Sequence, residues 1–206
     1  QSLYRPKGYF GSNHAQMIFN LNNDQIYGPY KDDGYMKLSR MLEKKKNGNV
    51  RASHILISYK GSQNAAPSIE RSKNDAKIEA NRLLRLARMN PDNFSSLALE
   101  HSDGPSSSSG GDLGFFQEGM MVKPFNDYVF KNSVGSIGVV ETEFGFHVIK
   151  VVAKEDLVKV ATIDLKNIPS NFTSDSVFNV TSKFEIELSK SQDLITAADT
   201  FDYDTK

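Results

Sequence analysis

The side chains best suited to proton or hydrogen-bond chemistry in this sequence are four histidines, His14, His54, His101 and His147, in a chain of 206 residues that has no cysteine. His54 sits in the β-branched run Ala52-Ser53-His54-Ile55-Leu56-Ile57-Ser58, and His147 in the run from Phe146 to Val152; both runs have the character of strands. Alternation along a strand puts His54 on one face with Leu56, and His147 on one face with Gly145 and Ile149. On paired strands the two rings meet as a hydrogen-bonded imidazole pair, one donating and one accepting, with the neighbouring Thr142 hydroxyl fixing the tautomer. Two unrelated core histidines fit the same spacing.

Other chemistries fit less well. A metal site from His54, His101, His147 and Asp103 matches no short ligand motif. The Gly- and Ser-rich stretch from Gly104 to Gly111 lacks the Lys of a phosphate cradle. The serines Ser106 to Ser109 lack a strand-turn-helix elbow and read as a flexible loop. Leu113, Met121 and Phe125 read as core, although a Met beside a Phe after a Gly-rich turn also suits a small apolar pocket.

The elements that must position these residues follow from periodicity. Ala76, Ala80, Leu83, Leu84 and Ala87 form one helical stripe closed by Asn90-Pro91, and Phe94, Leu97 and Ala98 form a second, shorter one behind Asp92. Strands are expected at 52–58, 112–116, 137–141 and 146–152, the last two antiparallel through a hairpin near Phe144-Gly145. With a short helix before the last two strands, residues 51–153 are expected to fold as an α+β unit with helices on a sheet. Residues 1–50 are expected to be a lead-in plus a hairpin. Within them, 1–14 are expected to be extended or poorly ordered, and Ile26 to Tyr30 and Tyr35 to Arg40 to pair about a turn at Asp32-Asp33-Gly34. Residues 154–206 are expected to hold a strand and then an amphipathic helix on Val177, Val180, Phe184 and Leu188 capped by Ser174 or Thr173, with a second helical piece through Leu194 to Phe201.

Lys plus Arg and Asp plus Glu each total 25, so no net charge draws the chain to nucleic acid or an anionic bilayer. No apolar run approaches the roughly 18 residues of a membrane-spanning helix. The chain opens on Gln1 with no basic-then-apolar signal after it, so an export signal is expected to be removed or upstream, and the sequence is expected to end inside a longer protein. An internal likeness points the same way. At an offset of 111 residues Ile18-Phe19 falls on Val129-Phe130, Ile26 on Ile137, Gly34 on Gly145, Tyr35 on Phe146 and Leu38 on Ile149, with Met36 in the place of His147.

Five segments together carry a resemblance to the parvulins, the rotamase family of peptidyl-prolyl isomerases. They are Ser53-His54-Ile55-Leu56; Phe94 to Leu97 with Ser102-Asp103; Gly110-Gly111-Asp112-Leu113-Gly114-Phe115-Phe116; Lys123-Pro124-Phe125; and Gly145-Phe146-His147-Val148-Ile149. The resemblance covers residues 51–153. It implies a four-stranded antiparallel sheet surrounded by helices, with His54 and His147 side by side under the substrate prolyl bond. It further implies Leu113, Met121, Phe125 and Phe144 as substrate-binding residues, Thr142 in the network behind His147, and no cofactor or metal.

Where many parvulins carry Cys or Asp directly after the Ser-Asp pair, this chain has Gly104; Asp103, one residue earlier, is expected to substitute through loop adjustment. The loop Lys60-Gly61-Ser62-Gln63-Asn64-Ala65-Ala66-Pro67 has no arginine cluster, so no phosphate preference is expected. The resemblance is to the subgroup of exported bacterial foldases and chaperones. It implies a periplasmic or cell-envelope isomerase acting on X–Pro bonds of unfolded or extended client polypeptides, possessed by a parent protein that is sometimes membrane-anchored. A different class of function, a catalytically weak chaperone module that grips extended segments, is favoured by Gly104 and opposed by the two histidines. The residues at 15–39 would then be the closing hairpin of an upstream parvulin-like module whose histidine has become Met36.

Overall fold

The computed structural model describes residues 3–166 and 171–191. Five strands and five α-helices follow one another as α1 (Ser12–Asn20), β1 (Ile26–Asp32), β2 (Tyr35–Ile57), α2 (Lys73–Met89), α3 (Phe94–His101), β3 (Asp112–Gln117), α4 (Lys123–Lys131), β4 (Ile137–Thr142), β5 (Gly145–Lys166) and α5 (Asn171–Ser191). The sheet order is β1-β2-β5-β4, with β3 on β2. β3 pairs antiparallel with Asn49 to Ser53 of β2, and β4 antiparallel with Gly145 to Lys150 of β5. The architecture is thus the expected α+β one, with β3, β2, β5 and β4 as the four strands of the isomerase-like sheet and β1 as a fifth.

The expected divisions at 50/51 and 153/154 fall inside β2 and β5, which run unbroken through them. The compact units divide elsewhere: Gln1–Gly28 with Ser39–Thr162, and Pro29–Leu38 with Ile163–Lys206.

In the first unit, side-chain alternation on β2 and β5 builds two cores. Ile55, Ile57, Phe146 and Val148 pack with the α2 stripe Ala76, Ala80, Leu83 and Ala87 and with Phe94, Leu97 and Ala98 of α3. Leu83 is fully buried, which stabilises the fold by about 2 kcal/mol from apolar area alone. Val50, Ala52, Ile149 and Val151, which alternate with the first set, pack with Phe116 of β3 and Phe125 and Val129 of α4. His54 and His147 belong to this second series, so alternation alone aims both rings to the α4 side. α2 starts at a capping box in which Ser72 Oγ accepts from Asp75 N and the Asp75 carboxylate accepts from Ser72 N.

The amino-terminal segment is not an extended lead-in. Lys7–Tyr9 is a 3₁₀ turn, and α1 follows with Ala15 and Ile18 buried on one side. Arg5 and Val158 exchange both backbone hydrogen bonds, at 2.8 and 3.0 Å, which ties the segment down despite Gly8 and Gly11.

In the second unit, β1 and β2 meet at Asp33-Gly34, both at positive φ (47° and 76°), the two-residue turn whose twist matches an antiparallel hairpin. Lys37 Nζ reaches Asp32 Oδ2 at 2.9 Å across that turn. Positions 173 and 174 lie within α5, which begins at Asn171, and not ahead of it as a cap would. The helical piece expected through Leu194 to Phe201 lies outside the described residues.

Candidate active site

Neighbouring strands β2 and β5 bring the two expected histidines together. His54 Nδ1 and His147 Nδ1 are 3.0 Å apart, and the rings stack with centroids at 5.2 Å and an interplanar angle of 14°. Both are nearly buried, at 7% and 5% exposure. Phe125 stands edge-on to both, with centroids at 5.7 and 5.6 Å. It gets there because Pro124 starts α4 and the i, i+4 pair Phe125 and Val129 turns inward. The second helix anchor is Asn126, whose Oδ1 accepts from Gly119 N at 2.7 Å.

Burial holds both imidazoles far below their ordinary pKa of 6.5, His54 to about 4 and His147 to about 3, the latter lowered further by the charge His54 would carry. Both rings are therefore neutral at neutral pH, and each has one N–H. Thr142 Oγ1 lies 2.8 Å from His147 Nε2 and accepts from Phe144 N at 3.1 Å; Ser106 Oγ lies 2.9 Å from His54 Nε2. Each hydroxyl oxygen has two lone pairs, so these contacts form a chain in either of two directions. In one, Thr142 O–H donates to His147 Nε2, His147 Nδ1–H to His54 Nδ1 and His54 Nε2–H to Ser106 Oγ; in the other every donation is reversed, starting from the Ser106 O–H.

A cavity of about 580 Å³ opens above this chain of bonds. Its walls include His54, His147, Leu113, Met121, Phe125 and Phe144, so every expected substrate-binding residue lines the same cavity. Leu56, Ala66, Ile69, Met120 and Val122 extend the apolar wall. Thr142 stands behind the pair, buried.

Asp103 also lines the cavity, but its carboxylate is engaged: Oδ2 accepts from Ser58 N at 2.8 Å and Oδ1 from Arg71 at 3.1 Å. The polar group on His54 Nε2 is Ser106, which spacing had assigned to a flexible loop. Residues Pro105–Ser109 form a 3₁₀ turn, set by Pro105 at its start and by Gly110 at φ 63° at its end. The Pro at the start of a short Ser run was the signal for that turn. A Cβ at Gly104 would sit 3.6 Å from His54 Nε2 and 3.3 Å from Leu56 Cβ, so the missing side chain is one that would have looked onto the same ring nitrogen.

The remaining histidines stay apart from the pair. His101 ends α3 near Glu79 and Glu100, and His14 contacts the Tyr27 hydroxyl at 3.1 Å. Among the described residues no group of three or more His, Cys, Asp or Glu side chains forms a metal cage, and no helix is long and apolar enough to cross a membrane.

Comparison with known proteins matches residues 36–155, more than half of the chain, to the PPIC-type PPIase domain. The chain is 38% identical over 110 residues to a protein of Digitalis lanata named peptidyl-prolyl cis-trans isomerase Pin1, covering 49% of this chain and 93% of that protein. It is 37% identical over 108 residues to the foldase protein PrsA of Geobacillus kaustophilus, covering 52% of this chain but 32% of that protein. The structure of the peptidyl-prolyl isomerase ESS1 from Candida albicans superimposes with a TM-score of 0.50 and 30% identity over 53% of this chain and 65% of that one.

Proposed function

The chain belongs to the PPIC-type PPIase domain family, the parvulin-type peptidyl-prolyl cis-trans isomerases, and from that premise we propose that it turns X–Pro bonds in unfolded or extended polypeptides and serves the folding of exported proteins. The observation that carries the proposal is the neutral, hydrogen-bonded His54–His147 pair at the base of an apolar cavity.

The reaction needs no covalent intermediate and no cofactor. The barrier to rotation about the C–N bond, about 18 to 20 kcal/mol, comes from amide resonance, whose charge-separated form is favoured by water at the carbonyl. Leu113, Met121 and Phe125 hold the proline ring and strip water from that carbonyl, so the resonance form loses its solvation and the twisted amide gains relative to the planar one. His54 and His147 provide a floor of fixed dipoles without a net charge, and Thr142 and Ser106 hold the orientation of those dipoles. Each tenfold in rate requires about 1.4 kcal/mol from these effects together.

Support for a foldase role comes from the likeness to the Geobacillus foldase, and the cell envelope is the place that the sequence resemblance implies. A second reading, a module that grips clients without turnover, is favoured by one observation, Gly104 next to His54. The measurement that separates the two is cis–trans exchange of a short X–Pro peptide with the purified chain: acceleration proportional to protein concentration supports the isomerase, and exchange at the uncatalysed rate with retained client binding supports the grip.

A further inference from the structure

The helix and strands at the amino end recur at a fixed distance along the chain. Shifted by 111 residues, α1 (Ser12–Asn20) coincides with α4 (Lys123–Lys131) at both ends, and the start of β1 at Ile26 coincides with the start of β4 at Ile137. β2 begins at Tyr35 and β5 at Gly145, one residue from the same offset. The buried positions recur too: Ala15 and Ile18 of α1 stand where α4 has Asn126 and Val129, all four buried. After β5, α5 follows as a long helix, just as α2 follows β2. This goes well beyond the shared glycine and apolar residues that any two hairpins show.

The offset also locates the counterpart of the catalytic pair. It takes His147 to Met36 and His54 to Leu165. The Ser39 and Thr162 hydroxyls lie 2.9 Å apart across β2 and β5. His54 faces His147 farther along the same two strands, so the strands run antiparallel. Counting outward from Ser39 and Thr162, Lys37 falls opposite Asp164 on one face, and Leu38 opposite Ile163 and Met36 opposite Leu165 on the other. In keeping with this register, the Lys37 ammonium is held up by Asp32 and by Asp164. Where the first copy has two facing imidazoles, the second has a thioether facing an alkyl chain. Leu38, Ile163 and Leu165 are 41%, 65% and 67% exposed.

We infer that residues 12–40, the end of β5 and α5 are a second copy of the isomerase fold that has lost its chemistry, and that its face of Met36, Leu38, Ile163 and Leu165 holds an extended apolar segment of the client polypeptide. The occupant follows from position and composition. Of the matching positions in the first copy, His147 and His54 line the client cavity, an assignment that rests on the function proposed above, and Ile149 and Ala52 pack beneath it, while the charged residues Lys37 and Asp164 fall on the opposite face of the second copy. Neither a thioether nor an alkyl group donates a hydrogen bond, so this copy binds without turning prolyl bonds.

The test uses the whole chain and a permanently unfolded, proline-free apolar polypeptide as probe, with affinity read by fluorescence anisotropy. The chain carrying His54→Ala and His147→Ala is expected to bind the probe within about threefold of the unaltered chain and to have no isomerase activity left. Adding Ile163→Asp and Leu165→Asp is expected to weaken binding at least tenfold, with the thermal transition retained; should that pair unfold, Ile163→Ser with Leu165→Ser replaces it. Failure of the unaltered chain to bind the probe, or equal binding by the Asp or Ser variants, overturns the inference and leaves the isomerase reading untouched. Residual turnover in the double-histidine variant that disappears when Ile163→Asp and Leu165→Asp are added shows a second active site and overturns it as well. Absence of turnover in the unaltered chain alongside intact probe binding counts against the proposed activity, not against the second copy.

Discussion

Gly111 and His54 are held so closely that no side chain fits between them: the Gly111 carbonyl accepts the His54 N–H at 2.9 Å, and a Cβ on Gly111 would lie 2.2 Å from the His54 carbonyl oxygen. Gly111 also sits at φ 79°, a conformation that costs other residues. Gly111→Ala is expected to destabilise the fold by more than about 2 kcal/mol and to lower activity by moving His54. Urea unfolding measures the first; a loss below about 0.5 kcal/mol would show that the contact relaxes freely.

Removing either imidazole breaks the hydrogen-bonded floor of the cavity. His54→Ala and His147→Ala are each expected to slow X–Pro exchange at least about tenfold, corresponding to about 1.4 kcal/mol. Unchanged rates in both variants would dismiss the pair as the catalytic element.

Either direction of the hydrogen-bond chain puts the two rings in different tautomers; with the Phe144 N–H already on Thr142 Oγ1, the expected order is the one in which Thr142 donates, His147 being protonated on Nδ1 and His54 on Nε2. Nitrogen NMR of the histidine rings distinguishes them. The reverse assignment would mean that Ser106 is the donor at its end of the chain. Thr142→Val should scramble the tautomers and lower kcat more than it raises KM.

In an unfolded chain both histidines take up protons near pH 6.5, whereas in the folded protein they do so only near pH 4 and below. Between those values the unfolded state binds more protons, so acid favours unfolding there. Stability is expected to be full above about pH 6.5, to fall as pH drops towards 4, and to level off for His54 below that. His54 alone contributes a loss of about 3 kcal/mol at 1.4 kcal/mol per pH unit. Denaturant midpoints that stay constant from pH 7 to 4.5 would contradict this.

Phosphate finds no waiting cation at the cavity. Lys60 is paired with Glu70 at 2.7 Å and Arg71 with Asp103 at 3.1 Å, and neither lines the cavity wall, where the one carboxylate among the described residues is Asp103. A phosphorylated Ser-Pro peptide is expected to have no advantage in kcat/KM over its unphosphorylated form. A strong preference lost on Lys60→Ala would show that the loop rearranges around phosphate.

The strand faces of the two histidines were legible in the sequence because alternation needs only local spacing, but that spacing fits two unrelated core histidines equally, and it took the parvulin resemblance to join position 54 to position 147. The α2 stripe was legible for the same reason at helical period. The length of β2 was not. Its first half runs through Lys44-Lys45-Lys46-Asn47-Gly48, which has the composition of a turn, yet Asn47 takes φ 52° inside the strand and its N–H bonds Asp156 at 2.8 Å. A tertiary partner overrides the local preference there. Ser106 was hidden in a run of four identical serines, of which only the fold selects one for His54 Nε2. α1 was hidden by glycines on its amino side, while the buried pair that holds it, Ala15 and Ile18, is too short a pattern to read alone.

The bare backbone at Gly104 has a pharmacological side. Electrophiles that silence an enzyme by capturing a sulfhydryl group find no thiol in this cavity, since Gly104 beside His54 Nε2 has no side chain, Ser106 supplies the polar atom on that nitrogen, and the 206 residues hold no cysteine at all. A blocker for this protein has to succeed by reversible fit, against the apolar wall of Leu113, Met121 and Phe125.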